Sequence, residues 1–179
     1  MTIKGVKEKY KEAIPVLQKE FSLKNALAVP HLTKVVISTG VGSTKDKAKL
    51  ALIPDRLAKI TGQKASPRSA KKSIAGFKSR QGETIGYMVT LRGARMYDFL
   101  GRFLNVALPR QKDFRGIKNT IIDDVGNATI GVKEHTIFPE TSDEELKDIF
   151  GFAVTICTSA KNKKIAQALL TAIGIPFKK

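Results

Sequence analysis

The sequence predicts an α+β fold in one domain, with a mostly antiparallel sheet, helices packed on one face and the other face open. The chain has 179 residues, 42% of them hydrophobic, which is enough for one sizeable core. Segments with helical and with strand periodicity alternate along the chain, separated by long connections. In one predicted strand, apolar Val89 and Leu91 alternate with polar Thr90 and Arg92, so that one face suits a core and the other does not.

Four helices are predicted, because apolar residues recur every three or four positions in four segments. Pro15 is expected to bend the first helix, and Pro54 lies in the first turns of the second, which Gly62 closes. Pro109 is expected to stop the third helix, and Gly174 lies beyond the end of the last. The apolar positions are Val6, Tyr10, Ile14, Leu17 and Phe21; Leu50, Ile53, Leu57 and Ile60; Met96, Phe99, Leu100, Phe103 and Ala107; and Ile165, Leu169, Ala172 and Ile173.

Four strands are predicted from runs rich in β-branched and apolar residues. A short helix is also expected after Ser142, because Ser142 and Glu145 have the spacing of a capping box. The predicted strands cover residues 34–42, 84–93, 128–132 and 152–158.

Positive charge dominates the composition: 32 Lys and Arg against 16 Asp and Glu give a net charge of +16. The excess is +7 in residues 1–61, +10 in residues 62–118 and −1 in residues 119–179. A generally basic, solvated surface would spread its charge more evenly. A concentrated excess is typical of a surface that binds nucleic acid, because each neutralised phosphate releases counterions.

No catalytic or cofactor motif is complete. Gly40 and Gly42 follow a predicted strand, but Lys45 stands where a dinucleotide-binding loop needs its third glycine. The glycines are therefore interpreted as a tight strand exit or as a point where a partner approaches the backbone. His31 and His135 each lack a nearby Cys or second His, so a zinc site is not expected. We predict no catalytic residue, no metal site and no cofactor.

Cysteine content and hydropathy indicate an intracellular protein. Cys157 is the single cysteine, which excludes an internal disulfide, and its apolar strand predicts a small buried residue. No apolar run approaches the roughly 20 residues that span a bilayer. The first residues lack the apolar stretch of a signal peptide, and no membrane partner is expected.

The segment "SPRSAKKSIAGFKSR", residues 66–80, carries five basic residues and no acidic one. It could be a disordered tether, a localisation signal or an arm that lies on a polyanion. Its position between two strand-like segments favours an arm, kept supple by Gly76, Gly82 and several serines. Its basic side chains suit phosphate, and Phe77 suits packing on a ribose or a base.

A second basic segment and one acidic segment follow. The basic segment is "LPRQKDFRGIK", residues 108–118, and the acidic one is "PETSDEELKD", residues 139–148. The acidic segment is either a solvated helix start or a surface that docks a basic partner.

In this order, the segments resemble the bacterial large-subunit ribosomal protein L5 family over essentially the whole chain. The resemblance implies an α+β fold, a mostly antiparallel sheet and a non-enzymatic structural role on the cytoplasmic ribosome. The matching segments are "VPHLTKVVISTGVG", "ITGQKASPRSAKKSIAGFKSRQGETIGYMVTLRG", "RMYDFL", "NVALPRQKDFRGI", "FPE" and "IPFKK".

The resemblance also implies partners for three groups of residues. The open sheet face is expected to bind 5S rRNA near its loop C, within a central protuberance that also contains 23S rRNA and neighbouring 5S-binding proteins. The matching positions are Lys34, Ser38, Gly40, Gln63, Thr90 and Arg92.

The long loop, residues 69–82, is expected to protrude and to reach the elbow of the P-site tRNA. The two later segments are expected to face the small-subunit head protein S13 in an intersubunit bridge. The tRNA-binding positions are Ser69, Lys71, Lys72, Ser73, Phe77, Lys78 and Arg80. The bridge positions are Arg110, Lys112, Arg115, Glu140, Asp143 and Glu144.

Three departures from the family pattern affect these expectations. Ser38 stands where Asn is common, so one base contact is expected to be shortened or mediated by water. Met88 stands where Lys is common, which removes a phosphate-binding charge from the sheet face. "DDVGNA", residues 123–128, lacks an Arg and a Tyr that the family often has, so no contact is assigned there.

Two other function classes remain as alternatives. An RNA-modifying or nucleotide-using enzyme would need a cofactor loop or a catalytic cluster, which the sequence lacks. A free RNA chaperone or regulator would share the basic surfaces but would not sediment with the large subunit.

Overall fold

Five strands form one sheet in the order β2-β3-β1-β5-β4. The computed structural model describes residues 5–42, 44, 46–112, 114–142 and 148–178. The strands are β1 (Leu32–Gly40), β2 (Ser66–Ser69), β3 (Thr84–Leu91), β4 (Ala128–Val132) and β5 (Phe152–Thr158). The helices are α1 (Val6–Glu20), α2 (Lys47–Thr61), α3 (Gly93–Arg102), α4 (Leu108–Arg110) and α5 (Lys163–Ala172), with a π-helical segment at Phe103–Ala107.

The α+β fold and the mostly antiparallel sheet are confirmed. β2 and β3 are antiparallel. Hydrogen bonds along β1 and β5 run in opposite order, from His31 with Ser159 at one end to Thr39 with Gly151 at the other. These two strands are therefore antiparallel as well.

Each long strand buries one row of side chains and leaves the other row partly exposed. In β1, Val35, Ile37 and Thr39 are buried while the residues between them are half-exposed. β3 buries Val89 and Leu91, and β4 and β5 alternate in the same way. One face of each strand is thus covered and the other is open, as the sequence predicts.

Two predicted element boundaries are wrong. Residues 66–69, expected in the basic arm, form the edge strand β2, in which all four residues are exposed. The third helix does not stop at Pro109: helical structure continues through the π-helical segment into α4, which ends at Arg110. Proline is tolerated there because it occupies the first turn of α4, where a missing N–H costs little.

The chain folds into two compact units. The first comprises Met1–Val35, Arg92–Ile130 and Thr155–Lys179. Within it, α1 packs against α3 and α5, and the rings of Phe99 and Phe103 stack at 5.8 Å. Burial raises the pKa of the Tyr10 and Tyr97 hydroxyls, and the charge of Tyr97 adds to the rise at Tyr10.

The second unit comprises Val36–Leu91 and Gly131–Val154. The Tyr87 hydroxyl donates to the Leu50 carbonyl at 3.1 Å and ties β3 to α2. Gly62, with φ 71°, ends α2 in the left-handed conformation that glycine adopts without strain. Helix α2 therefore covers the Tyr87 face of β3, and Met88 and Thr90 lie in the other row.

Gly86 lies close to the backbone of β1. A Cβ atom at this position would lie 2.8 Å from the carbonyl oxygen of Thr39. Real Cβ atoms essentially never come this close to a backbone oxygen, so a side chain here would force one of the two strands to shift. A glycine is therefore required here.

We expect Gly86→Ala to lower the free energy of unfolding by about 1–3 kcal/mol, as overpacking of a tight site usually does. Gly131→Ala in β4 is the matched control, because no atom lies within 4 Å of its added Cβ. Urea denaturation of both variants measures the difference. Equal stability of the two variants would contradict the close contact.

Candidate nucleic-acid interface

The open row of the second unit combines small or polar residues with the apolar side chains of Val36 and Met88. Ser38, Met88 and Thr90 are half-exposed and Gly40 is exposed, whereas their neighbours Ile37 and Leu91 are fully buried. The row therefore stands on a buried core and presents small or polar groups at Ser38, Gly40 and Thr90. Such a surface lets a polar partner approach the backbone closely.

Gln63 is held beside this row by the end of α2. The Thr61 hydroxyl donates to the Leu57 carbonyl at 2.7 Å and accepts from the Gln63 amide at 3.3 Å, which holds the residues after the helix. The Gln63 side chain then donates from Nε2 to the Thr90 carbonyl at 3.2 Å. Gln63 and Thr90, two of the predicted 5S rRNA-binding positions, are thus in direct contact.

Lys34 and Arg92 belong to the first unit. Lys34 is a half-exposed residue of the open row of β1, next to the buried Val35. Arg92 follows the buried Leu91, is exposed, and stands at the N-cap of α3 without a side-chain capping bond. Each cation thus stands next to a buried residue of the sheet, Lys34 beside Val35 and Arg92 beside Leu91.

The basic loop joins two antiparallel neighbours, β2 and β3, and is therefore the connection of a β-hairpin. The loop is closed at its base, where the Ala70 amide donates to the Glu83 carbonyl at 2.8 Å and the Gly82 amide donates to the Ala70 carbonyl at 3.0 Å.

Further out, the loop has its own hydrogen bonds and is not merely a supple chain. Ile74 and Ser79 form a small bridge around a turn of 3₁₀-helix at Ala75–Phe77, and Lys78 adopts φ 51°. The Gln81 amide donates to the Ser73 hydroxyl at 2.9 Å. These bonds order the backbone while the basic side chains stay exposed. All of the predicted tRNA-binding residues are exposed: Ser69, Lys71, Lys72, Ser73, Phe77, Lys78 and Arg80.

An apolar concavity of about 800 Å³ opens beside the loop. Phe77 is 77% exposed and Ile74 46% exposed, which is unusual for large apolar side chains. The lining residues are Gly42, Ser69, Ala70, Lys71, Lys72, Ile74, Phe77, Ser79 and Ile85. Apolar surface bordered by lysines suits a ligand with a flat apolar part and a negative charge, such as a nucleotide.

The predicted bridge residues are divided between the two units. Arg110, Lys112 and Arg115 are exposed residues of the first unit at and beyond the end of α4. Glu140 is an exposed residue of the second unit. Asp143 and Glu144, and the short helix predicted after Ser142, lie outside the described residues.

Two side chains differ from their sequence-based interpretation. Cys157 is half-exposed, because it lies in the open row of β5 next to the buried Ile156, so the expectation of a buried cysteine is wrong. Arg68 was assigned to the loop, but it lies in β2 and its Nη2 is 3.8 Å from the sulfur of Met88. Ser66 and Pro67 have low strand propensity, so the sequence does not predict this strand.

Metal ligation and membrane insertion find no support in the residues that the structure describes. No group of three or more His, Cys, Asp or Glu residues among them could hold a metal ion. None of the described helices has the length and apolar character of a membrane span.

Comparison with known proteins identifies the family. Residues 84–177 match the C-terminal model of the ribosomal L5 family, and residues 25–80 match the model described as ribosomal protein L5. Proteins named large ribosomal subunit protein uL5 are similar over nearly their full length. The one from Prochlorococcus marinus is 49% identical over 176 residues, covering 97% of this chain and 98% of its own.

Proteins with the same name from two other bacteria are similar to nearly the same extent. The Chloroflexus aggregans protein is 46% identical over 180 residues, covering 99% of both chains. The Mycoplasma mycoides protein is 49% identical over 173 residues, covering 96% of both chains. The chain therefore belongs to the ribosomal protein L5 family.

Proposed function

We propose that the chain is a structural component of the large ribosomal subunit that holds 5S rRNA on its open sheet face and reaches the P-site tRNA with its basic loop. The observation that carries the proposal is the open row itself: it presents Ser38, Gly40 and Thr90 above a buried core, in a chain with a net charge of +16. In this role the protein works in the cytoplasm, bound to ribosomes.

Binding of 5S rRNA follows from two kinds of contact. Lys34 and Arg92 supply charge for phosphates, which provides affinity without sequence preference. Ser38, Gly40, Gln63 and Thr90 supply small hydrogen-bonding groups that fit against ribose hydroxyls and base edges. In the wide minor groove of an RNA helix these edges and hydroxyls are accessible, so shape and 2′-OH contacts define the site.

The loop is suited to a partner that binds and dissociates repeatedly. It combines exposed lysines with the exposed ring of Phe77, on a backbone ordered by its own hydrogen bonds. An ordered loop loses little conformational entropy on binding, so repeated contact with successive tRNAs remains favourable. The elbow of P-site tRNA is the proposed partner.

Further partners are proposed for the remaining charged segments. Arg110, Lys112, Arg115 and the acidic Glu140 are assigned to an intersubunit bridge with S13, and 23S rRNA and the neighbouring 5S-binding proteins complete the surroundings.

Of the alternatives, an enzyme is not supported, because the family is one of ribosomal proteins. A free RNA chaperone shares the same basic surfaces and stays as the second candidate. Sedimentation of the cellular pool distinguishes it, since a ribosomal component travels with the large subunit.

Arg92→Ala is expected to weaken 5S rRNA binding by about 1–3 kcal/mol, the usual loss for a bidentate phosphate or base contact. Filter binding at several salt concentrations measures it. Lys164→Ala removes an equal charge from the exposed side of α5, a helix outside the sheet, and should have little effect. Unchanged affinity of the Arg92 variant would remove Arg92 from the interface.

Replacing residues 71–81 with Asn-Gly should leave 5S rRNA affinity within about threefold and weaken tRNA binding in the P site. The design preserves the hydrogen-bonded base at Ala70 and Gly82, and Asn-Gly favours a tight hairpin turn. A second variant, with Lys71, Lys72 and Lys78 all changed to Gln, keeps the loop length and removes only charge. A large loss of 5S rRNA affinity in either variant would refute the separation of the two surfaces.

A further inference from the structure

The pairing of β2 with β3 places Arg68 on the open face. Ser66 pairs with Met88 and Arg68 pairs with Gly86, in antiparallel register. Directly paired residues point to the same side of a sheet. Arg68 therefore shares a side with Gly86, Met88 and Thr90, and lies opposite the face that α2 covers.

Gly86 determines the direction in which the Arg68 side chain extends across the sheet. Because Thr39 excludes a Cβ at position 86, no side chain stands directly across from Arg68. The arginine instead reaches diagonally to the next residue of the row, where Nη2 lies 3.8 Å from the Met88 sulfur. Diagonal neighbours on paired strands are within reach of a side chain as long as arginine.

This contact orients the guanidinium without neutralising it. A thioether is a weak hydrogen-bond acceptor and carries no charge, while arginine has five N–H donors. Among the described residues, no carboxylate lies within ion-pair distance of Arg68. Arg68 is exposed, so its charge and most of its donors face solvent at the open row.

The geometry points to Arg68, held over Met88, as a phosphate-binding site of the open face that takes a backbone phosphate of the bound RNA. The site rests on the proposed function, which assigns RNA to this face. The loss of charge expected from Met88 is then offset, because the edge strand β2 supplies a cation at the position where β3 has none. A guanidinium also binds phosphate in a bidentate manner, which a lysine does not.

The site is tested by removing the positive charge at position 68 and then restoring a positive charge at position 88. The full chain is titrated with 5S rRNA by filter binding over a range of KCl concentrations, as wild type, Arg68→Gln, and the double variant Arg68→Gln with Met88→Lys. The matched control is Lys59→Gln on α2, which removes the same charge from the exposed side of the covering helix. Thermal unfolding establishes that each variant is folded.

Losing one phosphate contact should reduce the slope of log K against log salt by about 0.7–0.9, and affinity near 0.1 M salt by roughly five- to tenfold. We expect this of Arg68→Gln and not of Lys59→Gln. The double variant should recover most of the slope, because the Met88→Lys change returns a cation to the same place.

Two results would overturn the site: an unchanged salt slope in Arg68→Gln, or a reduced slope that the double variant does not recover. Absence of salt-dependent 5S rRNA binding by the wild type is a different result, because it would refute the proposed function and the site together.

Discussion

The close approach of Gly86 to the Thr39 carbonyl is the contact on which the arrangement of the second unit depends. It lets β3 pair with β1 at a distance that any side chain would prevent. Hydrogen bonding continues past the end of β1, from the Val41 amide to the Ile85 carbonyl at 2.9 Å. With β3 fixed in this way, β2 can pair on its outer edge, and the hairpin that carries the basic loop has a rigid base. The same glycine leaves Arg68 without a partner directly across the pair and so directs it to Met88.

One sheet thus provides two kinds of surface. Along the open row, a buried core holds small polar groups in fixed positions, which favours a permanent partner recognised by shape. At the end of the β2–β3 hairpin, exposed lysines and an exposed Phe77 stand on a short, hydrogen-bonded loop, which favours a partner that exchanges. Charge supplies affinity at both surfaces, but geometry distinguishes them. A count of charges along the chain does not separate the two surfaces, because both lie within or next to residues 62–118, which carry a net charge of +10.

Much of the fold could be predicted from the sequence, because its signals are local. Period-two alternation identified β3 and the open face, and Gly62 and Gly174 marked helix ends correctly. The errors arose where tertiary contacts override local preference. Ser66 and Pro67 have low strand propensity and become a strand only by pairing with β3. Pro109 is tolerated because it stands in the first turn of α4, directly after the π-helical segment. No sequence pattern shows that Gly86 faces a carbonyl oxygen or that Arg68 lies over Met88, since both depend on the register of strands distant in sequence.

The central claim is that the open sheet face and the basic loop bind different RNAs. Lysine acetylation followed by mass spectrometry tests it most directly, in the free protein, in its complex with 5S rRNA, and in ribosomes carrying P-site tRNA. We expect Lys34 to lose reactivity as soon as 5S rRNA binds. Lys71, Lys72 and Lys78 should stay reactive in that complex and lose reactivity only when P-site tRNA is present. Equal protection of Lys34 and the loop lysines by 5S rRNA alone would contradict the account.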